Sequence, residues 1–172
     1  ADIEEHRVGT AAEVDALAER FRIPRSRVIY VPMHTNIPDP HRSERAEGFV
    51  LSAGSTLRDY KTLLAGAPDI RAPITIVCAR AERLAHPLPS NVTVLRDVGR
   101  DEYLGLLARC SCVAIPLKPT VRATGQVVLL EAMALGKPVV ATRSPGTLDH
   151  IRHEVNGLLV EPHSPQALAG AV

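Results

Sequence analysis

Short apolar runs alternate with segments of helical periodicity from residue 48 to the end of the chain. Six runs lack strict polar alternation, and they are FVLSAG (49–54), ITIVCA (74–79), VTVLRD (92–97), CVAIPL (112–117), PVVATR (138–143) and GLLV (157–160). Helical segments are predicted over 57–67, 100–110, 125–136 and 146–151, whereas 80–91 offers only a short helix before its prolines. Buried strands that alternate with helices are typical of a parallel sheet covered on both faces. The pattern therefore predicts an α/β fold with a doubly wound, Rossmann-like parallel sheet.

The first 47 residues are more polar and less regular. Thr10 and Glu13 stand three residues apart, as in a capping box, where an apolar-periodic segment begins. A helix is therefore predicted over 10–21, and RVIYVPM (27–33) predicts a strand. The segment 34–48 is rich in proline, histidine and charge, which predicts a linker.

Composition excludes several classes of function. Hydrophobic residues make up 45% and charged residues 23% of the 172 residues, which is typical of a folded globular chain. A net charge of +1 and an aromatic content of 3% without tryptophan argue against nucleic-acid binding. No apolar stretch reaches the ~20 residues of a membrane span, and no signal segment opens the chain. We therefore expect a cytoplasmic protein with no membrane span and no nucleic-acid partner.

The three cysteines, Cys78, Cys110 and Cys112, lie in or beside apolar runs. Their odd number and spacing argue against a disulfide framework or a zinc site, so buried free thiols are predicted. The dinucleotide fingerprint, the Walker loop and any Ser or Cys nucleophile arrangement are missing from the sequence. The chain begins with Ala1 and ends within a helix predicted after Ser164, which we interpret as a piece of a longer protein.

Ligands of doubly wound sheets bind where strands end and helices begin. Thr124 is a predicted N-cap after the fourth run, and the amides of Gly125, Gln126 and Val127 follow it. These amides and the helix dipole form an anion site. Taken alone, an ordinary capped helix explains the same residues better.

A second candidate group follows the first run. Gly54 ends that run, and Arg58 and Lys61 lie three residues apart on the predicted opening turns of the next helix. Basic side chains at a helix N-terminus oppose the helix dipole, and a bound anion would remove this conflict. Compensation by Asp59 and solvent explains the pair equally well.

Glu131 lies about two turns into a predicted helix and has apolar residues three and four positions away on both sides. An ionised carboxylate in such surroundings needs hydrogen bonds or a counter-charge. The vicinal hydroxyls of a ribose supply two donors to one carboxylate. An internal salt bridge, for example to Arg122 or Arg143, is the alternative.

The segment 129–162 resembles the C-terminal signature of retaining glycosyltransferases of the GT-B fold, group 1 (family four) type. That family has Glu-Ala-Met-Ala, then Gly-x-Pro-Val-Val-Ala, then Asn-Gly-Leu-Leu-Val; here these are Glu131–Ala134, Gly136–Ala141 and Asn156–Val160. Weaker resemblance covers most of the chain. The resemblance implies that 1–47 are the end of an N-terminal domain and an interdomain linker. It implies that 48–172 are a nucleotide-sugar-binding Rossmann-like domain, truncated at its C-terminus.

The resemblance also implies roles for the candidate residues. Glu131 matches the second Glu of the family's E-x7-E motif, which binds the ribose. Arg58 and Lys61 match basic residues that neutralise the diphosphate, beside the phosphate loop at Gly54. Val98 would lie against the base, and the helix start at Thr124, Gly125, Gln126 and Val127 would face phosphate and sugar. Side-chain charges take the place of a metal, so no cofactor is expected.

Three positions depart from the family pattern. The first Glu of E-x7-E is replaced by Ala123, so the expected contact with the donor sugar is missing. Gly125-Gln126 replaces the usual aromatic-Gly pair, and Ser55 replaces the arginine after the first glycine. These departures leave the donor open.

The expected function is that of the donor-binding domain of a retaining glycosyltransferase. The enzyme would transfer a sugar from a nucleotide-diphosphate-sugar to an acceptor. The acceptor site belongs to the N-terminal domain, which is expected as the missing partner, so the chain alone is expected to be inactive. The alternative is a degenerate nucleotide-binding or interaction module of GT-B fold without transferase activity, which Ala123 favours.

Overall fold

The described part of the chain forms two parallel sheets. The computed structural model describes residues 5–37, 45–79, 84 and 86–172. The strands are β1 (His6–Val8), β2 (Val28–Tyr30), β3 (Val50–Ala53), β4 (Ile74–Val77), β5 (Val92–Leu95), β6 (Cys112–Ile115), β7 (Val139–Thr142) and β8 (Leu158–Val160). The helices are α1 (Ala11–Phe21), α2 (Tyr60–Gly66), α3 (Arg100–Arg109), α4 (Gln126–Ala134), α5 (Pro145–Leu148) and α6 (Pro165–Ala171). Single 3-10 turns lie at Arg25–Arg27 and Ala67–Asp69.

The larger sheet has six strands in the order β5-β4-β3-β6-β7-β8, and every neighbouring pair is parallel. Each of the six predicted apolar runs contains one of these strands. The chain first moves outward from β3 to β5 and then, on the other side, from β6 to β8. The predicted α/β doubly wound sheet is confirmed. Its direction reverses between β3 and β6, which is where such sheets bind ligands.

Helices cover the sheet on both faces, and each face has its own apolar core. One core includes Leu63 of α2 and Leu168 of α6, and the other includes Leu107 of α3 and Leu129 of α4. All four leucines are buried. Strands β3, β6 and β7 are buried at every residue, which explains why their sequences show apolar runs rather than alternation.

The N-terminal part forms a small unit of its own elements. β1 and β2 pair in parallel, and α1 connects them. The predicted capping box is present, because the Thr10 hydroxyl accepts from the Glu13 amide and the Glu13 carboxylate accepts from the Thr10 amide. β1 was not predicted, since three residues with one buried side chain, Val8, are too few to show a period. β2 is shorter than the predicted strand over 27–33.

Two predicted helix starts are wrong. α2 begins at Tyr60 rather than at residue 57, because Leu57 has a left-handed φ of 52° and Asp59 is the N-cap. Arg58 therefore precedes the helix instead of lying on it. α4 has Gly125 as its N-cap, with φ 82°, so the prediction of Thr124 as the cap is also wrong. A Cβ at Gly125 would lie 3.2 Å from side chains of Ile115 and Leu117, so glycine is required there by space as well as by conformation.

Parts of two predicted segments lie outside the described residues: 38–44 of the predicted linker, and 80–83 with 85 of the short helix predicted before β5. At the other end, Ser164 precedes α6 and Pro165 is its first residue, as predicted. Across the described ranges, every helix is too short or too polar to cross a bilayer.

Candidate functional site

Cavities lie along the edge where the strands of the large sheet end, and three adjoining ones together include every candidate residue. The Glu131 cavity, about 350 Å³, is lined by Gly54, Cys78, Val98, Arg100, Tyr103, Val127 and Glu131, among others. The Gln126 cavity, about 350 Å³, is lined by Met33, Gly54–Thr56, Arg58 and 123–128. The Lys61 cavity, about 680 Å³, is lined by Arg58, Lys61, Lys118, Arg122 and neighbouring residues. Every candidate residue from the sequence lines at least one of them.

The candidates are not evenly shared among the cavities. Gly54 and Val127 line both the Glu131 cavity and the Gln126 cavity, so these two cavities form one groove. Arg58 lines the Gln126 cavity and the Lys61 cavity. Lys61 shares its cavity with one other candidate residue, Arg58, and lines that cavity together with Lys118. Of the predicted basic pair, Arg58 thus lines the groove, whereas Lys61 lines the neighbouring Lys61 cavity.

Glu131 is 3% exposed on α4, and two side chains of α3 hold its carboxylate. Arg100 Nη1 donates to Oε1 at 2.5 Å, and Tyr103 Oη donates to Oε2 at 2.8 Å. Burial, and then the charge of Glu131, raise the pKa of Tyr103, so its hydroxyl stays a donor at neutral pH. Each carboxylate oxygen has one such partner. About two of its four lone-pair positions remain for further donors from the Glu131 cavity.

The internal salt bridge considered for Glu131 exists, but its partner was not foreseen. Arg143 pairs with Glu161 instead, at 2.9 Å, and Arg122 lines the Lys61 cavity. Arg100 and Tyr103 are 31 and 28 residues before Glu131 in the chain. The available signal was their i, i+3 spacing at the start of the predicted third helix, where a doubly wound sheet places its ligand contacts.

Arg58 is only 9% exposed, and its guanidinium turns back onto its own loop. Nε donates to the carbonyl of Ala53 at 2.8 Å, and Nη1 donates to the carbonyl of Thr56 at 3.3 Å. Burial lowers the pKa of Arg58. In the part of the chain that the structure describes, no carboxylate forms an ion pair with it. A buried positive charge of this kind lacks a counter-charge.

Asp59, next to Arg58, is engaged elsewhere. It caps α2 by accepting from the amide of Thr62 at 3.3 Å and from the Thr62 hydroxyl at 2.7 Å. His163 Nδ1 lies 2.8 Å from Asp59 Oδ2, the oxygen that also accepts from the Thr62 hydroxyl. Burial acts to raise the pKa of Asp59, but the hydrogen bonds from Thr62 and His163 outweigh it, and the net pKa is lowered. Asp59 thus caps α2, and within the described ranges it forms no ion pair with Arg58.

The start of α4 holds buried polar atoms without partners. Thr124 Oγ1 and Gln126 Oε1 have no hydrogen-bond partner in the described structure. The other end of the Gln126 amide donates from Nε2 to the carbonyl of Gly9 at 2.8 Å. Both residues line the Gln126 cavity, and Val127 beside them is exposed. Such buried unsatisfied atoms are rare in native proteins, which marks the start of α4 as a candidate polar site.

Ala123 leaves the Gln126 cavity without a carboxylate among its lining residues. Its amide instead donates to Glu13 Oε1 at 2.8 Å.

No group of three or more His, Cys, Asp or Glu suited to a metal occurs among the described residues. The three cysteines are buried and free, as predicted, and burial raises the pKa of Cys110 to about 12 and that of Cys112 to about 11.

Comparison with known proteins identifies the family of the chain. The family model of the group 1 glycosyl transferases matches residues 45–172. The chain belongs to this family. An uncharacterized glycosyltransferase of Methanocaldococcus jannaschii is 33% identical over 112 residues, 65% of the chain and 27% of that protein. A D-inositol 3-phosphate glycosyltransferase of a Mycobacterium species is 31% identical over 122 residues, 69% of the chain and 26% of that protein.

Solved structures show the same fold. Anabaena HepE, crystallised in complex with UDP and glucose, superposes with a TM-score of 0.73 at 20% identity and covers 97% of the chain. A glycosyltransferase of Rickettsia africae superposes with a TM-score of 0.79 at 14% identity. The chain corresponds to the C-terminal half of these GT-B proteins. It spans 52% of each of those two chains and about a quarter of the curated relatives.

Proposed function

We propose that this chain is the donor-binding part of a retaining glycosyltransferase. In this proposal 48–172 bind a nucleotide-diphosphate-sugar, and 1–47 are the end of an N-terminal domain with its linker. The observation that carries the proposal is Arg58, a buried guanidinium at a wall of the groove that pairs with no carboxylate of the described residues. A diphosphate is an anion of the right charge to neutralise it. Membership of the family and the UDP complex of HepE support this assignment.

In this proposal the donor lies along the groove with its base at the Glu131 cavity and its sugar at the Gln126 cavity. The ribose would lie in the Glu131 cavity, where its two hydroxyls find the remaining acceptor positions of Glu131, and the base would lie against Val98. The diphosphate would pass Gly54 towards Arg58. The sugar would occupy the Gln126 cavity, where Thr124 Oγ1 and Gln126 Oε1 lack partners. Lys61 would add positive charge from the Lys61 cavity.

Catalysis in this proposal depends on charge rather than on a side chain that bonds to the sugar. As the sugar–phosphate bond breaks, negative charge grows on the diphosphate leaving group. Arg58 and the amides of Gly125, Gln126 and Val127 stabilise that charge in a buried site, where electrostatic effects are strong. The proposal needs no metal or other cofactor. The acceptor and retention of the anomeric configuration depend on the N-terminal domain, so the chain alone should bind weakly and transfer nothing.

Calorimetric titration of UDP, GDP and ADP, each with and without its sugar, tests the proposal. One pair should bind to the wild-type chain, and Arg58→Met should weaken it by at least about tenfold, since a charge-assisted contact is lost. Arg143→Met is the matched control, because its exposed ion pair with Glu161 lies away from the cavities. Binding of none of the six compounds contradicts the proposal. Turnover by the isolated chain contradicts the prediction that it is inactive.

A second candidate is a degenerate module that keeps the scaffold without donor chemistry. Ala123 favours it, because the Gln126 cavity has no carboxylate to contact a sugar. This candidate predicts that the nucleotide binds equally well with and without its sugar, or that nothing binds. The donor-binding proposal predicts that the sugar adds affinity, so the same titration separates the two.

A further inference from the structure

The carboxylate of Glu13 joins the start of α1 to the loop before α4. Its Oε2 accepts from the amides of Gly9 at 3.1 Å and Thr10 at 3.2 Å. Its Oε1 accepts from the amide of Ala123, 110 residues away, at 2.8 Å. A capping box requires only the bond to the N-cap amide. The bond to Ala123 is therefore additional to what helix α1 needs.

Two further bonds lie on the same contact face. Gln126 Nε2 donates to the carbonyl of Gly9 at 2.8 Å, and the amide of Ala11 donates to Asp149 Oδ2 at 3.0 Å. A Cβ at Gly9 would lie 3.2 Å from the Cβ of Ala123. The backbone at 9–11 thus lies directly against the residues that begin α4. The loop over the Gln126 cavity takes its position from the N-terminal unit as well as from the sheet.

We propose that Glu13 is a positioning residue for the segment 117–125, which leads into α4 and includes a wall of the Gln126 cavity. The role in donor binding rests on the proposed function. Glu13 does not line that cavity, and both of its carboxylate oxygens already accept from backbone amides. It does not replace the carboxylate missing at Ala123 by touching a sugar. It acts by fixing the position of the Ala123 backbone through the hydrogen bond from the Ala123 amide.

Amide hydrogen exchange in the whole chain, without ligand, tests the positioning directly. Glu13→Ala should speed exchange of the Ala123 amide by about tenfold, since a hydrogen bond to a charged group is lost. Glu13→Gln, which keeps the length of the side chain but not its charge, should fall between this variant and the wild type. It also keeps the test decisive if Glu13→Ala prevents α1 from forming.

Thr10→Ala is the matched control. It removes the hydroxyl half of the capping box, the bond from the Glu13 amide, and leaves the carboxylate bond to Ala123 in place. Exchange at Ala123 should stay within about twofold of wild type in this variant. Equal acceleration in Thr10→Ala and Glu13→Ala would mean that general loosening of α1 is responsible, and it would overturn the proposal. Unchanged exchange in both Glu13 variants would also overturn it.

A binding readout separates positioning from overall stability. Ala123 lines the Gln126 cavity but not the Glu131 cavity. Glu13→Ala should therefore weaken the nucleotide-sugar at least about fivefold more than the bare nucleotide. Equal weakening of both ligands would contradict the role in donor binding. If the wild type binds neither ligand, the proposed function fails, and the exchange experiment alone decides the position of the loop.

Discussion

Glu131 and Arg58 are two buried charges at the same edge of the sheet, and the protein compensates them differently. Glu131 has a counter-charge in Arg100 and a neutral donor in Tyr103. Among the described residues, the hydrogen-bond partners of Arg58 are carbonyl oxygens, those of Ala53 and Thr56. Because a carbonyl does not neutralise a guanidinium, a bound anion changes the surroundings of Arg58 far more than a diol changes those of Glu131. The proposed binding energy is therefore expected to come mainly from the diphosphate.

The pairing of Glu131 makes a prediction about stability at the residue scale. Arg100→Ala should lower the free energy of unfolding by about 1–3 kcal/mol, because a carboxylate that is 3% exposed loses its charged partner. Arg100 itself is 48% exposed, so its own burial contributes little. Arg143→Ala breaks an exposed pair with Glu161 and should cost less than about 1 kcal/mol. Urea unfolding of the two variants compares them, and equal losses would contradict the importance of the Glu131 pair.

At the scale of elements, strands were easier to predict than helix starts. The central strands β3, β6 and β7 are buried at every residue, and continuous apolar runs record that burial. The starts of α2 and α4 depend on two residues with a left-handed backbone conformation, Leu57 and Gly125. Only the glycine is of a residue type that favours this conformation, so only it could be predicted from the sequence. The partners of Glu131 were missed for another reason. A contact between α3 and α4 is set by tertiary packing, which no local period records.

The cap of α2 predicts a pH dependence of stability. The folded protein lowers the pKa of Asp59, so the ionised form is favoured by folding. This stability is present above the ordinary value of 3.8 and is lost as the pH falls through the lower folded-state value. Asp59→Asn keeps an N-cap acceptor but cannot ionise. The difference in unfolding free energy between wild type and variant should shrink as the pH falls below that range. Urea unfolding at stepped pH measures it, and parallel profiles would contradict the assignment.

At the scale of the whole molecule, the N-terminal unit and the large sheet have separate apolar cores. Val8, Val14 and Val28 form a cluster of their own, apart from the two cores that flank the sheet. The bonds of Glu13, Gln126 and Asp149 connect the unit to α4 and α5. The sequence predicted the change to a more regular pattern near residue 47 but not this contact, because backbone amides donate two of these three bonds and carry no sequence signal. The proposed donor groove thus has one wall whose position depends on a polar contact.

A polar contact between the small N-terminal core and the large sheet predicts that the two parts open separately. Three buried valines supply far less apolar burial than either core of the sheet, so α1 should exchange its amides at a lower free energy than β3 or β6. Asp149→Ala removes the acceptor for the Ala11 amide and should speed exchange in α1 further, while β3 and β6 remain unchanged. Glu161→Ala is a matched control, because that carboxylate pairs with Arg143. Hydrogen exchange followed by mass spectrometry resolves these segments. Equal protection of α1 and the central strands in the wild type would show instead that the polar contact unites the chain into one cooperative unit.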